Sequence, residues 1–158
     1  MESVIHYLRA RNVAVLDCEC IQINAQHQCV RNLFILCKDG VTSKYKDFYA
    51  CKRYRQLDTK YQRAFRYCQR RVHHLQYEPK KTDSPSCSTA TYFLQNFIRE
   101  NRIDLILYKG GTVEKRLCND AGGAAINIET LGAPKVNSHD PRVEVRAHYN
   151  FLKNIGCM

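Results

Sequence analysis

The stretch Val13-Ala-Val-Leu-Asp-Cys-Glu-Cys-Ile-Gln-Ile constrains the fold more than any other part of the chain. Its first four residues are uninterruptedly apolar, which reads as a strand buried on both faces; from Asp17 the pattern alternates. A strand covered on both faces needs a layer above and a layer below, and this favours an α/β architecture over an open antiparallel sheet. Asp17 and Glu19 stand two residues apart, so both carboxylates project from one face, with Cα atoms roughly 6.5 Å apart. Two like charges on such a strand are costly. They persist where a divalent cation neutralises them, where one lies at a frayed end in water, or where an arginine such as Arg31 pairs with one.

The rest of the chain supplies the layers. Residues 29–37 read as a second strand, Lys38-Asp-Gly as a hairpin turn, and residues 43–49 as a third strand, so the fold opens as an antiparallel meander. A helix is expected over about residues 59–72, with Tyr61, Phe65, Cys68 and Val72 inward, followed by a loop over residues 79–87 that carries two prolines. Residues 88–101 have apolar positions at Tyr92, Phe93, Leu94, Phe97 and Ile98, a helical pattern. Residues 104–108 form a short apolar run that suits a parallel partner for the first strand. Thr112 is expected to cap a short helix that runs through about Ala121 and ends at Gly122-Gly123, and residues 125–128 read as another strand. In the last helix Asp140 is the expected N-cap and Pro141 the first helical residue, with an inward stripe of Val143, Ala147, Phe151 and Leu152.

At 158 residues the chain fits one domain, residues 1–158, with a mixed sheet of antiparallel meander plus parallel strands flanked by helices. No apolar run reaches the roughly 18 residues of a membrane-spanning helix, and the first residues lack the basic and apolar segments of a secretion signal. Nine cysteines at irregular spacing, with no Cys-x2-Cys pair, argue against a disulfide framework and for a reducing, intracellular compartment.

The charge is concentrated. Residues 44–81 hold twelve Lys or Arg against three acids, which accounts for nine of the ten surplus positive charges, and six of the ten tyrosines. Cations interleaved with flat rings suit a nucleic-acid groove, in which phosphates are neutralised and bases stack; a helix with a solvated basic face would show the same composition. Two further acids bear on the choice. Glu114 is expected at the start of a helix just after an apolar strand, and Glu144 in the first turn of the last helix, five residues after His139. Two strand carboxylates faced by one carboxylate from each of two helix starts can hold two Mg²⁺ or Mn²⁺ ions about 4 Å apart, with the histidine as general base.

In order and spacing these segments resemble the DEDDh branch of the 3′-to-5′ exonucleases, within the RNase H-like superfamily. Val13-Ala-Val-Leu-Asp17-Cys-Glu19 is similar to the family's first motif. Leu105-Ile-Leu-Tyr-Lys-Gly-Gly-Thr-Val-Glu114 is similar to the second, with Lys109-Gly110-Gly111 in place of His-Asn-Ala. His139-Asp-Pro-Arg-Val-Glu144 is similar to the third, and Ile128-Glu-Thr-Leu131 occupies an Asp-Thr-Leu place. Glu stands at 114 and 144 where the family usually has Asp. The resemblance implies an RNase H-like fold and a metal-dependent exonuclease that releases nucleoside 5′-monophosphates from the 3′ end of RNA or DNA. It also implies roles: Asp17, Glu19, Glu114 and Glu144 as ligands of two Mg²⁺ or Mn²⁺ ions, and His139 as general base. The first ion would lie between Asp17, Glu19 and Glu144, with Glu114 serving the second. Contacts to the strand would fall to Cys18, Cys20, Lys109, Arg66, Arg70 and the His73, His74 and Leu75 element; Cys18 and Cys20 also read as core fillers, as do Cys37 and Cys118.

Two other readings stand beside this one. The chain can be a catalytically inactive RNase H-like module that binds nucleic acid. Cys51, Cys68, His73 or His74, and Cys87 can also hold a structural Zn²⁺, although their gaps are looser than finger spacings.

Overall fold

A computed structural model describes residues 2–49, 54–68, 84–85 and 88–158. Arg70, His73, His74, Leu75, Cys51 and Cys87 lie outside the described residues, and of Cys68 only its place in a helix is described, so the zinc reading falls there too.

The apolar run at Val13 becomes the axis of the sheet. Strand β1 (Val13–Asn24) pairs antiparallel with β2 (His27–Cys37), and β2 pairs antiparallel with β3 (Ser43–Tyr49). A two-residue strand, β4 (Ser84–Pro85), lies parallel to β3 inside the segment read as a loop. On its other side β1 pairs in parallel with β5 (Leu105–Tyr108), which pairs in parallel with β6 (Ala125–Asn127), giving the order β4-β3-β2-β1-β5-β6. The architecture is therefore α/β, with a mixed sheet flanked by helices on both faces.

Alternation divides the core. One face carries Ala14, Leu16, Leu33, Ile35 and Ile106 and is covered by α3 (Ser88–Asn101) and α4 (Thr112–Asp120). The other carries Val13, Val15, Phe34, Leu36, Leu105 and Leu107 and is covered by α1 (Glu2–Arg9) and α5 (Pro141–Asn154). The remaining helix, α2 (Thr59–Cys68), seats Phe65 against Ile21, Ile23 and Cys29 at the far end of the β1–β2 hairpin. No helix among the described residues is long and apolar enough to cross a membrane.

Three expectations about side chains change. Tyr92 is 63% exposed, and α3 packs through Ala90, Leu94 and Phe97 instead. Thr112 is the first residue of α4 rather than its cap; Gly111 holds the cap position without a side-chain hydrogen bond. Asp140 does cap α5, accepting from the Arg142 N–H, with Pro141 as first helical residue, but the buried stripe is Pro141, Val145, His148 and Leu152, and Val143 is about half exposed. Leu152 is buried as expected, and Phe151 packs against the same core from the edge.

The α3 assignment has a direct test. Leu94→Ala removes a fully buried side chain and should cost about 2–5 kcal/mol in urea unfolding, whereas Tyr92→Ala should stay within about 0.5 kcal/mol of the parent.

Candidate metal centre and basic face

The pairing of β1 with β5 stops at Leu16 and Tyr108. Beyond that point β1 continues with β2 alone; the carboxyl end of a parallel pair is the crevice where α/β sheets usually take a ligand. Asp17 and Glu19 are the first two side chains of β1 past this point on the α5 face. From α5, the capped first turn brings in Glu144. One carboxylate oxygen from each of the three lies within 4.8 Å of the others, and Asp17 and Glu19 are both 7% exposed.

Local irregularity sets the aim of these groups. The register of β1 and β2 shifts between Glu19 and Cys20, which leaves Arg31 as the extra residue of a bulge. Bulges re-aim neighbouring side chains. Arg31 is buried and donates to the Phe48 carbonyl. Opposite Glu19, the buried Asn32 accepts its N–H at 3.2 Å.

The electrostatics are those of a site short of positive charge. Burial, first of all, lifts the Asp17 carboxyl from its ordinary 3.8 to about 10; the hydrogen bond with the Glu144 carboxyl and the charges of Glu144, Glu19 and Glu114 push the same way. Oδ2 of Asp17 is buried without a hydrogen-bond partner. A proton shared between Asp17 and Glu144 does the work a cation would do, and an all-carboxylate donor set of hard oxygens fits Mg²⁺ or Mn²⁺ better than softer metals.

Glu114 stands beside this trio rather than in it. Helix α4 covers the opposite face of the sheet, and from its first turn the Glu114 carboxyl, 8% exposed, accepts from its own N–H and from the Cys18 thiol. Burial raises it to about 7 against those two bonds, with the charges of Glu19 and Glu144 adding to the rise, so it feels the trio from the open edge of β1. The turn into α4 depends on Gly110, whose φ of +112° excludes most side chains; Asn127 brackets it, accepting from the Gly110 N–H and donating to its carbonyl.

The other expected site residues are spread around the crevice. His139 is exposed, on the segment that leads into α5, and is not one of the clustered ligands. Lys109 is half-buried at the end of β5. Cys18 is a core side chain, 6% exposed, which removes it from any contact with a strand; Cys20 is half-buried. Cys37 and Cys118 are buried, as core fillers should be. Arg66 is exposed on α2, 5.3 Å above the Tyr54 ring, with Lys60 and Arg63 also exposed. Helix α2 rests on Ile21 and Ile23, further along β1 from Asp17 and Glu19. On α5, Arg142 lies 4.4 Å over Tyr45 and Arg146 5.5 Å over Phe34.

One group escaped sequence reasoning. His148 is 3% exposed, one turn beyond Glu144 on α5, and neither ring nitrogen makes a hydrogen bond; the Pro134 carbonyl is close enough only to favour the charged ring. Burial and the charge of Lys109 nevertheless lower its pKa, so it is a neutral imidazole behind the trio. Its spacing of four residues from Glu144 was the available signal. A cavity of about 440 Å³ between α3, α4 and the β2 end, lined by Val30, Tyr92, Val113, Arg116 and Leu117, lies on the other face of the sheet from the three carboxylates.

No family model matches the chain, and no curated protein matches it.

The raised Asp17 pKa fixes the sign of a stability test. Between about 4 and about 10 the folded chain holds a proton that the unfolded chain has lost, so this group's contribution is intact below about pH 4 and fades as pH rises toward 10. Asp17→Asn, which keeps the shape and removes the titration, should stabilise the metal-free protein by about 1–4 kcal/mol, with the gap over the parent wider at pH 9 than at pH 6 in urea unfolding.

Proposed function

We propose that the chain is an RNase H-like, metal-dependent 3′-5′ exonuclease of DEDDh type, acting on RNA or DNA. The observation that carries this reading is the gathering of Asp17, Glu19 and Glu144, with an orphaned Asp17 oxygen, at the carboxyl end of a parallel strand pair. Isolated acidic clusters are common on surfaces; one in which two of the three carboxylates are buried and the third, from a separate element, is half-buried is not a surface accident, because each buried ion costs several kcal/mol unless it is compensated. The meander followed by parallel strands, with helices on both faces, is compatible with the fold that the motifs resemble.

Asp17, Glu19 and Glu144 would hold the first Mg²⁺ or Mn²⁺, and Glu114, by turning from Cys18, would serve a second. Bound there, the cations supply electrophilic stabilisation to the charge that grows on the phosphodiester oxygens. His139, exposed where the chain enters α5, takes the proton of the attacking water and delivers it to solvent. Lys60, Arg63 and Arg66 on one side and Arg142 and Arg146 on the other neutralise phosphates, while exposed Tyr67 offers a ring for stacking.

A binding-only reading is favoured by one observation, the Glu114 carboxyl bonded to Cys18 rather than gathered with the trio. Degradation of 3′-labelled RNA and DNA strands, with Mg²⁺, Mn²⁺ or chelator, separates the two. The exonuclease reading expects shortening from the 3′ end that chelator stops, and loss of at least about 100-fold in rate for Glu19→Gln or His139→Ala with strand binding kept. Undiminished cleavage by either pure variant, or none by the parent with either metal, would overturn it. The basic face has a separate test: the triple change of Lys60, Arg63 and Arg66 to Ala should weaken single-strand binding and lower the slope of log K against log salt by about 2.

A further inference from the structure

The hydrogen bonds around the trio form a path that joins its two halves. Glu19 N–H donates to Asn32 Oδ1 at 3.2 Å, Asn32 Nδ2 donates to the Tyr45 hydroxyl at 3.3 Å, and the Tyr45 hydroxyl donates to Asp47 Oδ1 at 2.7 Å. Above the Tyr45 ring, at 4.4 Å, sits the Arg142 guanidinium. That guanidinium is held by both oxygens of Asp140, Nε to Oδ1 at 3.0 Å and a terminal nitrogen to Oδ2 at 2.9 Å, and Asp140 is the N-cap of α5, four residues before Glu144. Asn32 is 3% exposed, so its amide has little water to fall back on.

We infer that Asn32, Tyr45 and Arg142 are positioning residues for the metal centre: one polar chain, laid across β1, β2 and β3 and clamped to the cap of α5, holds the backbone of Glu19 and the first turn that bears Glu144 in a single geometry. This rests on the metal-binding reading above and specifies how that site keeps its shape. The need is physical. A carboxylate site tolerates ligand displacements of only about 0.2 Å, and its ligands here come from a strand and from a helix whose shared packing is mainly apolar, which resists separation better than sliding. Tyr45 is the junction. Its hydroxyl serves the strand side through Asn32 and Asp47, and its ring serves the helix side through Arg142. None of Asn32, Tyr45 and Arg142 is among the clustered ligands, so the chain acts through Glu19 and Glu144.

The test is calorimetric titration of the full chain with Mn²⁺ alone, comparing the parent with Tyr45→Phe, Arg142→Ala and the double variant. Tyr45→Phe keeps the ring beneath Arg142 and removes only the hydroxyl; Arg142→Ala changes an exposed side chain and leaves the core intact. Each should weaken Mn²⁺ binding by about 10-fold, the usual cost of losing a group that orients a ligand. The thermal midpoint of the metal-free protein should hold for Arg142→Ala and fall by a few degrees for Tyr45→Phe, which leaves the buried Asn32 amide short of a partner. Because both act on one chain, the double variant should lose clearly less than the product of the single losses. Single variants that bind Mn²⁺ within two-fold of the parent, or losses that multiply fully, would overturn the inference while leaving the metal site standing. A parent chain that takes up no Mn²⁺ would overturn the metal reading itself, and this inference with it.

Discussion

Repulsion among buried carboxylates is the constraint around which this molecule is arranged. Asp17, Glu19 and Glu144 bring three acidic groups together where water is scarce, and the fold answers with a proton rather than a base: Asp17 stays protonated far above its ordinary range, bonded to Glu144. A sequence under selection for stability alone would place amides or apolar side chains there at no loss of packing. The retained repulsion is explicable if something outside the chain relieves it, and a divalent cation is the simplest species of suitable charge and size.

The sheet makes this arrangement tolerable. Because β5 is only four residues long, β1 leaves its parallel neighbour just before the first carboxylate, so the acids lie at an open edge and not inside the six-stranded body. The shortness of β5 also explains how Glu114, on a helix that covers the opposite face, still senses Glu19 and Glu144. On the α5 side, Asp140 satisfies the helix start and draws Arg142 down onto Tyr45, which leaves Glu144 directed toward β1. Rigidity comes from strand pairing and capping, both cheap in side-chain entropy compared with a ring of long ion pairs.

Much of this was legible in the sequence, for reasons that differ by residue. The unbroken apolar run at residues 13–16 announced a strand covered on both faces, and two acids two apart on a strand share a face whatever follows. The α5 start was readable because Asp-Pro fixes both cap and first turn. What could not be read were features set by tertiary neighbours. Tyr92 matches an apolar helix pattern but points to water, because the core beneath α3 is already filled by Leu94 and Phe97. His148 lies inward where polarity argued outward, and although Asn32 stands opposite Glu19 in the regular register, the turn of its side chain onto the Glu19 N–H beside the bulge at Arg31 is foretold by no period-two pattern.

The two helix glutamates meet the strand carboxylates differently. Glu144 starts from α5, on the face that carries Asp17 and Glu19, and one of its oxygens lies within 4.8 Å of an oxygen from each. Glu114 starts from α4 on the other face, and its carboxyl accepts from its own N–H and from Cys18, which satisfies it away from the trio while it still feels the charges of Glu19 and Glu144. The face from which each helix approaches, and not the residue type, therefore decides which glutamate joins the cluster.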